Sequence, residues 1–177
     1  MDAGRLGVCI LLAATTAHPA LSMDPNPPQT SSSLAQRQRD VAQRGAQVMP
    51  FKLGATTHIF TKTATGGLQQ VVVKDPKDAD QIAMIRAHLS EIAGRFSRGD
   101  FSGPTDTHGA QMPGLERLKA AKRGEISIQY GELPDGAQIE YSSKSEDLIA
   151  ALHEWFDAQL SDHGAAAMSG HEHTLQH

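Results

Sequence analysis

The stretch TTHIFTKTATGGLQQVVVKDPKDADQIAMIRAHLSEIAGRF, residues 56–96, changes its hydrophobic period part-way along. Thr56–Thr63 and residues 68–74 are rich in β-branched side chains, and Gly66 and Gly67 between them can take the positive φ of a tight turn, which predicts a β-hairpin. Asp75, Pro76 and Asp78 then break the strand and start a helix. Beyond them Ile82, Ile85, Leu89, Ile92 and Phe96 recur at spacings of three and four, the apolar face of an amphipathic helix ending near Gly99.

The same order returns towards the C-terminus. Ile126, Ile128 and Tyr130 alternate with polar residues, Leu133-Pro-Asp-Gly136 has the residues of a turn, and Ala137, Ile139 and Tyr141 alternate again. Ser145 caps a last helix with Leu148, Ile149, Leu152, Trp155, Phe156 and Leu160 on its apolar face and Gly164 at its end. The expectation is an α+β fold of ββαββα order, an antiparallel sheet with helices packed on one face, in which Ile85, Leu89, Ile126, Ile139, Leu152 and Phe156 are buried together. When the helical stripes are superposed, Asp80 and Ile82 fall on Asp147 and Ile149, as an old duplication would place them. Residues 100–114, dense in Gly, Pro and Asp, read as an irregular loop, and residues 115–121 as two helical turns. Residues 34–45 suit a short helix with a thin apolar stripe, and Met49, Pro50 and Phe51 an extended approach to the core.

A chain of 177 residues with 39% hydrophobic content supports one core and leaves no room for a second full domain. Its 20 acidic residues outnumber 16 basic ones without a basic run, which argues against nucleic-acid binding. Residues 1–22 carry a short apolar run preceded by Arg5, the pattern of an export signal cleaved before Met23; a cytosolic protein starting at Met23 and an uncleaved apolar tail are the other readings. An exported mature chain, periplasmic or secreted, has no membrane span, because the run is too short for one and leaves with the signal. The single cysteine, Cys9, would leave too, excluding disulfides, thiolate nucleophiles and cysteine zinc sites from the mature protein. Residues 23–33 read as a flexible linker, 34–164 as the domain and 165–177 as a disordered, histidine-rich tail.

Nine histidines are the feature that points to chemistry. His58 lies on the first strand, and His88 on the first helix one turn from Met84, a pair able to share copper or simply to pack and to tip a ring to water. His108 and Met112 sit in the Gly/Pro loop, where they are either a chelating bend or a surface histidine and a core anchor. His153 has Asp157 one turn ahead, an orienting partner or a plain helix pair. His163 falls within the apolar stripe, as a ligand or as a hydrogen-bonded core residue. His88, His108, Met112, His58, His153 and His163 are therefore the candidate metal ligands, with copper before zinc because a thioether favours Cu(I). The tail adds Met168, His171, His173 and His177, able to gather divalent metals without preformed geometry.

The segments QVMPFKLGATTHIFTK, KDPKDADQIAMIRAHL, GDFSGP, HGAQMPGL and ALHEWFDAQLSDHG, spread over residues 47–164, resemble a group of small bacterial exported proteins often labelled aspartate carbamoyltransferase. The label implies carbamoyl transfer. Transcarbamoylases grip carbamoyl phosphate with a Ser-Thr-Arg-Thr-Arg loop on a doubly wound parallel sheet, and neither is in this chain, so no catalytic residue is carried over. Serine-elbow, Walker, dinucleotide and zincin motifs are missing as well. The sequence thus leaves an exported metal-binding protein, a protein-interaction module, or an enzyme without a recognised motif.

Overall fold

The computed structural model of the chain describes residue 1 and residues 29–171. The expected signal beyond Met1, most of the linker, and His173 and His177 of the tail lie outside the described residues. The elements are α1 (Gln29–Val48), β1 (Thr56–Thr63), β2 (Gly66–Val73), α2 (Ala79–Phe96), α3 (Ser102–His108), α4 (Leu115–Ala120), β3 (Ile126–Leu133), β4 (Gly136–Ser143), α5 (Glu146–His163) and β5 (Ala167–Ser169).

The fold is α+β. Its sheet runs in the order β3-β4-β2-β1-β5 and is antiparallel except where β5 joins β1 in parallel. The first four positions are palindromic: the hairpin-helix units β1-β2-α2 and β3-β4-α5 meet through the antiparallel β2–β4 pair, with Gln70 opposite Gln138. One face of the sheet carries His58, Phe60, Gln69, Val71, Ala137, Ile139 and Tyr141, all buried. Alternation along each strand puts them there, and α2 and α5 cover them with Ile85, Leu89, Leu152, Trp155 and Phe156. Ile126, at the outer strand, is only partly buried against this core. Helices α2 and α5 begin at side-chain caps: Asp78 accepts from the Gln81 N–H at 3.2 Å and Ser145 from that of Leu148 at 3.4 Å.

Beyond Ile126, the structure departs from the sequence reading in four places. The first turn is Ala64-Thr65, with Thr63 opposite Gly66, so both glycines belong to β2. They are needed for close approach: a methyl on Gly66 would sit 2.2 Å from the Tyr141 carbonyl oxygen, and one on Gly67 2.3 Å from the Phe156 ring. Phe156 is fully buried and has nowhere to move, so Gly67→Ala should destabilise the fold by roughly 1–3 kcal/mol in urea unfolding. Second, residues 102–108 of the presumed loop form α3. Asp100 Oδ1 accepts from the Ser102 N–H at 3.1 Å and starts the helix, Pro104 falls in its first turn, and Phe101 stacks on Phe96 at 4.4 Å. Third, α1 begins at Gln29, inside the stretch read as linker. Fourth, the tail contributes β5, whose short pairing extends the sheet past β1.

Candidate functional site

Apolar packing does not account for the position of α1, whose Val41 and Gly45 are its only buried residues among those described. Polar contacts hold it. Arg37 donates to both carboxylate oxygens of Asp162, at 2.5 and 2.7 Å, and to the His108 carbonyl at 3.3 Å. Gln38 reaches the Ser161 carbonyl at 2.8 Å and Arg44 that of Thr107 at 2.7 Å. These contacts tie α1 across the ends of α3 and α5, and the three helices with α2, β1 and β2 line a cavity of about 210 Å³.

Four of the six candidate ligands line that cavity: His58 from β1, His88 from α2, His108 from α3 and His163 from α5. The His58 and His163 rings stack with centroids 4.8 Å apart and planes 8° from parallel, and the His108 ring stands edge-on to His163 at 5.0 Å. His88 is at the mouth, its ring against Phe51, beside Glu91, Arg95 and Asp106. The other two candidates are elsewhere. Met112 is buried in the apolar core and does not accompany His108 to the cavity, whose lining includes Met49 instead. His153 bonds through Nε2 to the carbonyls of Gly66 and Thr63, at 2.8 and 3.1 Å, closing the first hairpin onto α5. Its supposed partner Asp157 pairs instead with Lys62 at 2.5 Å. Met84 is exposed and does not line the cavity with His88.

The protonation of the inner rings follows from their partners. Asp162 is buried, which works against its charge, but hydrogen bonds from His108 and Arg37 outweigh this and hold its carboxyl below the usual range. His108 Nδ1 lies 2.9 Å from this carboxylate and so carries a proton there, which makes Nε2 the nitrogen able to present a lone pair. Burial above all, with the neighbouring His108, pushes His58 down to about 4, so that ring is neutral as well. It hydrogen-bonds the Ala166 backbone in a way that favours the proton, which makes it the donor to a carbonyl. Nδ1 is buried without a partner among the described residues, so the donor is Nε2 and the lone pair is on Nδ1. Burial, together with His58 and His108, pushes His163 to about 3.

No protein-family model matches the chain, and neither a curated protein nor a solved structure is similar to it. The chemistry of the cavity therefore has to speak for itself. Among the described residues no group of three or more His, Cys, Asp or Glu is already arranged to hold a metal ion. The reason is visible in the stack: lone pairs lie in the ring planes, and those of two parallel rings run side by side rather than to one point.

Several residues of the site were not read as site residues from the sequence. Asp162, Gln159 and Trp155 had a signal there, because they follow one another at intervals of three and four along the apolar face of α5, where a buried carboxylate needs partners. Gln69, Met49 and Arg37 had none, since their placement depends on β2 and α1 meeting α5.

Proposed function

We propose that this domain is an exported binding protein that holds a transition metal ion through the imidazoles of His58, His108 and His163. The observation that carries the reading is a pair of fixed tautomers. His108 gives its Nδ1 proton to a carboxylate and His58 its Nε2 proton to a backbone carbonyl, which leaves two unshared lone pairs on the wall of one cavity. Histidine ligands are typically oriented in this way, with the far nitrogen donating to a carboxylate or a carbonyl. The third ring has to turn out of its stack on His58 to complete the set, and the cavity provides the space. Copper still ranks before zinc, now because imidazole sites follow the general affinity order rather than because of the Met112 thioether.

The test is calorimetric titration of the full chain carrying His171→Ala, His173→Ala and His177→Ala with Cu(II) under a competing chelator. One tight equivalent is expected, weakened at least about tenfold by His58→Ala or His108→Ala because a lost ligand is not replaced in a fixed geometry. Heat no greater than the chelator's own would end the reading.

A further inference from the structure

Two residues of the cavity wall each carry a buried polar atom without a partner among the described residues. One atom is a donor: Trp155 is 1% exposed, and its indole Nε1–H meets no acceptor. The other is an acceptor: His58 is 3% exposed and keeps the Nδ1 lone pair left by its bond to the Ala166 backbone. They belong to different parts of the wall. His58 is on β1, stacked on His163 at 4.8 Å, whereas Trp155 is on α5, against Phe96 at 5.9 Å and Tyr141 and Phe156 at 5.7 Å each. One unmet buried polar group costs about 1–3 kcal/mol, so two around one void call for an occupant that accepts at one place and donates at another.

Size and charge narrow the occupant. A void of roughly 150 Å³ is enough for a benzene ring, and this one, at about 210 Å³, takes a ring with small polar groups on it. Met49, Ile92, Phe96 and Pro104 give that ring apolar walls, along which water molecules filling the same space would find few partners. Among the described residues Asp162 is the one buried carboxylate, and Arg37 and His108 already hold it. The charged residues that line the cavity, Glu91, Arg95 and Asp106, stand at its mouth and reach solvent. An ion carried past them would shed its water without finding a free counter-charge, so the occupant is neutral.

We infer that the cavity is a binding site for a small, neutral, single-ring organic molecule, whose carbonyl oxygen accepts from Trp155 Nε1 and whose hydroxyl donates to His58 Nδ1. The inference goes beyond the metal reading and does not depend on it. The two meet at one atom: a metal ion on His58 Nδ1 uses the lone pair that the hydroxyl needs, so the ion and the organic molecule exclude each other there.

Trp155 is the single tryptophan of the chain, so its fluorescence reports on the site directly. The experiment titrates the full chain, freed of metal with EDTA, with para-hydroxybenzamide at neutral pH and reads tryptophan emission and heat. The expected result is a saturable change in emission with one equivalent bound. Benzamide, which lacks the hydroxyl, should bind about tenfold more weakly, and so should para-hydroxybenzamide to Trp155→Phe, followed by heat; each loses one hydrogen bond, and tenfold is about 1.4 kcal/mol. The benzoate of the same shape, being charged, should bind at least about tenfold more weakly than the amide. The ligand series uses the unaltered chain, so the test stands even where Trp155→Phe folds poorly. No change in emission or heat would mean that water alone fills the cavity, and would overturn the inference. Benzamide binding as tightly as its hydroxylated form would remove the His58 contact, and the benzoate binding as tightly as the amide would remove the neutral occupant. Copper uptake by a chain blind to the amide would sink this inference alone, and amide binding by a chain that takes no copper would sink the metal reading alone.

Discussion

Between pH 8 and pH 5 the fold should lose about 4 kcal/mol of stability, roughly 2 kcal/mol for each of two buried histidine rings. Both rings belong to the cavity. His58 and His163 are neutral in the fold, pushed to about 4 and about 3 by burial, whereas in the unfolded chain each titrates at the ordinary value of 6.5. As pH falls through 6.5 the unfolded state takes up two protons that the folded state refuses, and mass action favours unfolding. The stability is fully present above about pH 7.5 and is lost progressively as pH falls towards 4. Asp162, with its carboxyl below the usual range, stays ionised throughout this window and does not blur it. Urea unfolding at pH 8, 6.5 and 5 measures the effect, and His163→Gln should remove about half of the dependence. A stability that is flat across the window would mean that these rings are solvated or already protonated in the fold.

Asp162→Ala should cost about 3 kcal/mol and cripple the site at once. Among the described residues the carboxylate is the only acceptor of the His108 Nδ1–H and the main anchor of Arg37. Arg37, nearly half exposed, can turn to water when its partner goes, so little of the loss comes from stranding its charge. The buried His108 N–H has no such exit, and a hydrogen bond to a charged group is worth about 1.5–3 kcal/mol. The same change frees the His108 tautomer, so copper affinity should fall by a further 10- to 100-fold. Arg37→Ala separates the two consequences. It should loosen α1, seen as faster amide exchange over residues 33–48, while keeping the Asp162–His108 bond and most of the metal affinity. Should Asp162→Ala leave both stability and binding intact, the pairing of these three side chains would have no energetic weight.

Periodicity alone was enough for the frame. A stripe of period near 3.6 on residues 82–96 and 148–160, and alternation on 126–130 and 137–142, leave few ways to bury apolar area other than two hairpins covered by two helices. The misreadings have local causes. Glycines beside a turn look like the turn itself, yet Gly66 and Gly67 answer to Tyr141 and Phe156, more than seventy residues away. A segment rich in Gly and Pro looks irregular, yet α3 is started by a carboxylate that Arg95 positions from α2 at 2.9 Å.

The site divides along the same line. A surplus of histidines is a property of composition, and the sequence by itself determined that imidazole would be the chemistry available to the described residues. Which histidines matter was decided by tertiary structure. His153 and His163 lie on one helix ten residues apart, but the first meets hairpin carbonyls and the second meets His58 and His108. Side-chain roles of this kind depend on which donors and acceptors are brought within 3 Å by segments distant in the chain. That is a consequence of packing the whole sheet and its helices, and periodicity, which sees only a few turns at a time, does not carry it.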